Sequence, residues 1–147
     1  MIFVVQRVLD AAVSVAGETV GAIGPGLLVF VCGMPDDDDE TVSFLTRKLV
    51  NLRIFEDDTG KMNRSVLETG GAVLVVSQFT LAAQWRKGNR PSFSEAAPPA
   101  EAERLYEEVK KTITEHGVPV ACGRFGADMQ VALINDGPVT LILDSST

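Results

Sequence analysis

Enzymes work with nucleophiles, bases, metals or oriented donors, and this chain is sparing with the first three. Its only histidine is His116, and its two cysteines are Cys32 and Cys122. A Ser-His-Asp triad would need His116 as its base. That residue closes a run of helical periodicity, where an imidazole serves as a partner for the helix dipole or, in the alternative, as a catalytic base. The two thiols lie far apart in apolar surroundings, so they read as buried free cysteines and not as a disulfide framework. With no close Cys/His cluster, a metal site would have to be assembled from scattered carboxylates, and we expect no metal. There is no glycine-rich dinucleotide loop and no P-loop, and no cofactor is expected either.

What remains is Ser77-Gln78-Phe79-Thr80, two hydroxyls and an amide placed directly after the apolar run Ala72 to Val76. Backbone N–H groups that leave a sheet at such a point can face a ligand in place of a neighbouring strand, as an oxyanion site requires. The competing reading is a strand end that sends Phe79 and Leu81 into the core. Thr80 as a nucleophile would need an adjacent base, and the sequence supplies none except carboxylates of unknown position.

The elements that hold this segment can be read from periodicity. Residues 2–8 are β-branched and aromatic, and Ala12 to Ala16 with Thr19 to Ile23 flank Gly17-Glu18 as a hairpin. After the turn Gly24-Pro25-Gly26, Leu27 to Cys32 is continuously apolar, the mark of a strand covered on both faces. Val42, Leu45, Leu49 and Leu52 recur at three- and four-residue steps and predict a helix from about Asp38 to Asn51. A short strand Leu52 to Glu56, a turn at Asp57 to Gly60, and the strand Ala72 to Val76 follow. Ala82 to Pro99 has no period, and a loop of that length inside a compact domain usually carries function or an interface. Pro98-Pro99 opens a second helix with Ala102, Leu105, Tyr106, Val109 and Ile113 on one face, ended by Gly117. Met129 to Ile134 alternates as a strand, Asn135-Asp136-Gly137-Pro138 predicts a turn, and Val139 to Leu143 is apolar. Strands and helices in blocks favour an α+β or barrel-like fold over a doubly wound one.

A chain of 147 residues, 46% hydrophobic and 22% charged, is long enough for one core, and residues 1–147 read as one domain. The longest apolar runs are well short of the ~20 residues that span a bilayer, and the start lacks a basic stretch followed by an apolar one, so a cytosolic protein is expected. The net charge of −7 argues against bulk electrostatic capture of nucleic acid, DNA included. Much of that charge is concentrated at Asp36 to Glu40, which reads as a solvated helix start. Arg86, Lys87 and Arg90 form a local basic patch that could still meet one end of an RNA.

The whole chain resembles the D-aminoacyl-tRNA deacylases, first described as D-tyrosyl-tRNA deacylases. The likeness rests on Ser77 to Leu81 (SQFTL), Gly88 to Phe93 with its Arg-Pro-Ser-Phe ending, Gly123 to Val131 (GRFGADMQV) and Asn135 to Thr140 (NDGPVT). Val5 to Val8 and Asn51 to Asn63 also fit. A departure lies at Gln84-Trp85, where many members carry a short polar pair.

The resemblance implies hydrolysis of the ester between a D-amino acid, or glycine, and the terminal adenosine of tRNA. It implies an α+β fold, a mostly antiparallel, barrel-like sheet with two main helices outside, doubled as a homodimer. In the family Ser77, Gln78, Phe79 and Thr80 line the catalytic pocket. Gly137-Pro138 matches a Gly-cis-Pro element of the partner subunit that enters that pocket and excludes L side chains, and Arg7 matches a residue that holds it. Such a bond reverses the usual expectation, since only ~5–6% of X-Pro bonds in folded proteins are cis. Phe125 and Met129 match pocket-wall positions near the adenine end of the tRNA. Arg86, Lys87 and Arg90 are candidates for the acceptor-stem phosphates, or else solvated loop charges. For mechanism, a Thr80 nucleophile stands against water activated by the ribose hydroxyl beside the ester, with the protein supplying orientation and N–H donors. A module that binds a tRNA end or a D-amino acid without hydrolysis is the alternative function.

Overall fold

A computed structural model describes residues 1–147. The chain runs through β1 (Ile2–Val15), β2 (Glu18–Ile23), β3 (Gly26–Cys32), α1 (Asp39–Asn51), β4 (Phe55–Glu56), β5 (Met62–Arg64), α2 (Val66–Thr69) and β6 (Ala72–Ser77). A single 3₁₀ turn (Phe79–Ala82), α3 (Pro99–Glu115), β7 (Val120–Cys122) and β8 (Gln130–Asp144) complete it. The main sheet is ordered β2-β1-β3-β6-β7, with β8 paired to β1.

β1 organises the sheet because it is long enough to serve three partners. Its first half pairs with β3, its second half with β2, and nearly its whole length with β8, all antiparallel. The two separate strands expected over residues 2–8 and 12–16 are therefore one. Leu9 and Asp10 are exposed and break the apolar pattern, but the register shifts that surround them keep the strand continuous. The pairs β3–β6 and β6–β7 are parallel, each joined by a crossover that carries a helix. Those crossovers also hold extra turns and the small β4–β5 hairpin, which hid the strand–helix–strand alternation in the sequence.

β3 is buried on both faces, as its continuous apolar run predicts, and β6 beside it is buried likewise. Leu27, Val29, Val31, Val73 and Val75 face a core shared with α1 and α3, through Leu45, Leu49, Leu105, Val109 and Ile113. Leu28, Leu74 and Val76 face the opposite way, into a smaller core with Val8, Ala11 and Val13. The second core exists because the sheet curls until β2 and β7 meet, which makes it nearly a closed barrel. Gly21 marks the closure: a Cβ there would fall on the carbonyl oxygen of Cys122.

The helices start and stop as their local chemistry requires. Asp38 caps α1, its carboxylate accepting from the Thr41 N–H at 2.8 Å. Asp37 turns inward, accepting from the Met34 N–H at 2.7 Å and pairing with the Met1 ammonium at 2.8 Å, so the acidic run is only partly a solvated helix start. Ser65 and Glu68 form a capping box on α2, a short helix not foreseen. Pro99 opens α3, and Gly117 at φ +87° follows its last turn. No helix is long and apolar enough to cross a membrane.

Candidate active site

Between the end of β6 and the start of α3 lies a cavity of about 530 Å³, of the size small-ligand sites take. Its floor is Val31, Cys32 and Gly33 at the end of β3, with Ser77, Gln78 and Phe79 beside them. Phe93, Ala97, Pro98 and Ala102 form one wall, and Tyr106, Phe125 and Gly126 the other. The site sits where parallel strands end, and the 3₁₀ turn lets the chain leave β6 without covering it. Phe79 and Phe93 meet edge to face, with centroids 5.4 Å apart, which joins the long loop to the turn.

The turn organises its own polar groups. The Gln78 N–H donates to the Val31 carbonyl at 2.8 Å, so it is engaged in extending the sheet. The first N–H groups of a helical turn have no acceptor within it, which leaves those of Phe79 and Thr80 as the donors the segment can offer a ligand. The Gln78 side-chain amide donates to Thr80 Oγ1. An amide is no base, so this contact positions the hydroxyl without activating it.

No carboxylate, imidazole, ammonium or guanidinium lines the cavity. Its two titratable side chains are Cys32 and Tyr106. Burial pushes the Cys32 thiol up from its ordinary range, and burial likewise pushes the Tyr106 hydroxyl up. Both are therefore uncharged at neutral pH. Tyr106 donates to the Val75 carbonyl at 3.1 Å and packs against Phe125, centroids 5.8 Å apart. His116 caps the far end of α3 and is not among the lining residues.

A second group of expected residues gathers elsewhere on the same chain. Asn135 to Pro138 is not the turn that its composition predicts, because β8 runs through it. Between Asn135 and Thr140 the strand instead bulges away from β1. The Gly137–Pro138 peptide bond in that bulge is cis, and both residues are exposed. The bulge is held from below by Arg7, which is 5% exposed. Arg7 Nε donates to the Asp136 carbonyl at 3.2 Å and lies 3.0 Å from Asp136 Oδ2 in an ion pair, while Nη1 donates to the Ile54 carbonyl at 2.6 Å. The Asn135 side-chain amide reaches the Arg7 carbonyl at 2.9 Å and the Val139 carbonyl at 3.1 Å, replacing ladder bonds that the bulge removes.

Three comparisons bear on this arrangement. The family model described as D-Tyr-tRNA(Tyr) deacylase matches residues 4–144. The chain belongs to that family. It is 58% identical over 141 residues to a D-aminoacyl-tRNA deacylase of Cereibacter sphaeroides, covering 96% of this chain and 97% of that one. With the D-aminoacyl-tRNA deacylase of Ruegeria pomeroyi it shares 60% over 140 residues, covering 95% and 97%. Among solved structures it is similar to a protein described as c-Myc DNA Unwinding Element Binding Protein, with TM-score 0.91, 40% identity and 98% of both chains covered. A structure described as a probable eukaryotic D-amino acid tRNA deacylase aligns with TM-score 0.83 over 97% of each chain; at 18% identity it shares the fold.

Within this deacylase chain, Ser77, Gln78, Phe79 and Phe125 come together at the cavity, with Thr80 tied to them through Gln78. Arg7, Gly137 and Pro138 form a separate cluster outside it. Met129 does not line the cavity; it packs against the smaller core, filling the space that Gly123 leaves open. Arg86, Lys87 and Arg90 are exposed on the long loop. Sequence reasoning missed Gly33, Tyr106 and Asp136 as parts of these sites. Tyr106 carried one usable signal, a lone hydroxyl on an otherwise apolar helix face, which needs a partner when buried.

Proposed function

We propose that this protein hydrolyses the ester joining a D-amino acid, or glycine, to the terminal adenosine of tRNA, and leaves L esters intact. The observation that carries the mechanism is a deacylase-family cavity lined by apolar walls, hydroxyls and an amide, with no side chain charged at neutral pH. Such a site has no general base of its own. It suits a substrate that brings its own assistance, since the ribose hydroxyl beside the ester can orient water and relay its proton, taking it up while passing its own to the departing oxygen. Water adds to the ester carbonyl, the Phe79 and Thr80 N–H groups face the oxyanion, and the bond from carbon to ribose oxygen breaks. The proton lost by water ends on the departing ribose oxygen. The protein's share is orientation and oxyanion stabilisation, each worth several kcal/mol of barrier elsewhere.

Chirality is assigned to a second copy of the chain. In this reading the exposed Gly137–Pro138 bulge of one subunit enters the cavity of its partner, where its carbonyl oxygens accept from the substrate ammonium and its backbone fills the side on which an L side chain would sit. Two observations support the arrangement. The bulge is held rigidly by Arg7 and Asn135 yet lies outside its own chain's cavity. Leu9, Ile134 and Ile142, on the paired strands that carry it, are large apolar side chains left exposed, the surface a self-complementary partner would cover. Glycine has no side chain to exclude and passes. Arg86, Lys87 and Arg90 meet the acceptor-stem phosphates. The substrate belongs to the cytosol, and the reading puts the protein there, discarding mischarged tRNA before translation uses it.

The test is the lifetime of D-tyrosyl-tRNA with catalytic amounts of protein, against a control without protein. Multiple turnovers support the reaction. A lifetime equal to the control, from folded protein that binds the tRNA, makes it a binding module instead.

A further inference from the structure

The long loop contains one feature that neither the cavity nor the phosphate contacts account for. Gln84 and Ser92 form a two-way backbone bridge, with N–H to carbonyl distances of 2.7 and 3.0 Å. The segment between them projects from that bridge next to Phe93, a wall of the cavity. At its start stands Trp85, the only tryptophan in the chain. Its side chain is 66% exposed, and the Arg86 guanidinium lies over its ring at 5.0 Å from the centroid. Arg86, Lys87 and Arg90 take part in no ion pair or side-chain hydrogen bond. The one acid at the loop's base, Glu95, accepts from Gln84 Nε2 at 2.7 Å.

A single exposed indole is ordinary on a protein surface, so the signal is the company it keeps. An arginine on one ring face, with two more free cations on the same loop of an acidic protein, matches the way single-stranded nucleic acid is held. Bases stack on aromatic faces while cations follow the backbone. Resting on the function proposed above, we infer that Trp85 and Arg86 form a stacking platform for one unpaired base of the substrate RNA's single-stranded end, upstream of the adenosine that carries the ester. Trp85 is then a binding determinant of the reaction, remote from the bond that breaks. One ring face is already covered, so one base is the capacity, and the lower end of measured stacking effects applies. Loss of the ring weakens binding about fivefold.

Trp85 reports on itself, because its fluorescence is the chain's only indole signal. The probe is an uncharged RNA hairpin with an unpaired 3′ tail, beside the same hairpin cut blunt. The tailed hairpin quenches Trp85 emission and the blunt one does not. Trp85→Ala weakens the tailed complex about fivefold and leaves the blunt one unchanged, and Trp85→Phe recovers most of the difference. With D-tyrosyl-tRNA, Trp85→Ala raises KM by the same factor at unaltered kcat. Thermal melting confirms that the variants fold. Equal quenching by both hairpins, or wild-type affinity and KM in Trp85→Ala, overturns the platform. Because the hairpin is uncharged, its binding is read independently of hydrolysis. Tail-specific quenching without turnover keeps the platform and removes the proposed reaction, while turnover with an indifferent Trp85 does the reverse.

Discussion

Arg7 allows the link between fold and selectivity to be worked through in numbers. Its guanidinium is buried, and Arg7→Ala removes the bonds to the Ile54 and Asp136 carbonyls and the ion pair with the Asp136 carboxylate. Leaving the Ile54 carbonyl without a donor costs about 1–3 kcal/mol. The ion pair joins a side chain 6% exposed to one 42% exposed. Its loss therefore falls between the about 1 kcal/mol of a surface pair and the about 3–5 kcal/mol of breaking a buried one. Together they predict a loss of about 2–6 kcal/mol, centred near 4, which a domain of ordinary stability survives over most of that range. Asp136→Asn removes only the ionic part, keeps an acceptor beside the guanidinium and leaves the carbonyl contacts, so it costs less, about 1–2 kcal/mol. Urea unfolding of both variants and of the double variant gives the coupling between them. The same proteins are then assayed on D- and L-tyrosyl-tRNA. Arg7→Ala frees the Asp136–Val139 bulge and erodes discrimination, tenfold for each ~1.4 kcal/mol of positioning lost, while Asp136→Asn retains most of it. An Arg7→Ala protein within about 0.5 kcal/mol of wild type, the range of neutral surface substitutions, would refute the energetic argument. An unchanged ratio of D to L rates would refute the positioning argument.

Thr80→Ala removes one hydrogen-bonded hydroxyl, so kcat on D-tyrosyl-tRNA falls by about tenfold or less; a single-turnover collapse of about a thousandfold or more in folded protein would make Thr80 a nucleophile. Tyr106→Phe removes the bond to the Val75 carbonyl and costs about 1 kcal/mol at neutral pH. Because burial raises the Tyr106 hydroxyl, its stabilising contribution is complete below the unfolded value of about 10 and is lost as pH rises past it. Melting curves for the wild type therefore fall on that alkaline limb, and Tyr106→Phe flattens it; an equal alkaline fall in both proteins contradicts the assignment. Neutralising Arg86, Lys87 and Arg90 together lowers the slope of log affinity against log salt for tRNA by about 2–3 if all three meet phosphate. An unchanged slope in filter binding or titration returns them to solvated loop charges.

The elements most legible in the sequence are those whose signal is local and strong. Leu27 to Cys32 reads as a doubly covered strand and Ala72 to Val76 as a strand, and in both each alternate side chain enters a different core. Both long helices were visible in their apolar spacing and in Pro99 and Gly117. Asn135-Asp136-Gly137-Pro138 misled as a turn because its composition is that of a turn, whereas pairing with β1 on both sides keeps the chain extended and Asn135 bridges the gap. The parallel pairs were hidden for a related reason, since strand direction is a property of long-range contact. Family resemblance singled out Ser77 to Thr80 and Arg7 with Gly137-Pro138, which residue types alone left undecided. The cavity walls from Val31 to Gly126 share no spacing, and the Arg7–Asp136 pair joins residues at opposite ends of the chain, so neither leaves a local trace.

The central claim is stereochemical hydrolysis by a site with no base of its own, and initial rates on three esters test it most directly. D-tyrosyl-, L-tyrosyl- and glycyl-tRNA are incubated in parallel with catalytic amounts of protein, each with its spontaneous rate subtracted. The account predicts rapid loss of the D and glycyl esters and an L ester that decays at the spontaneous rate. Hydrolysis of the L ester at a rate near that of the D ester would contradict it.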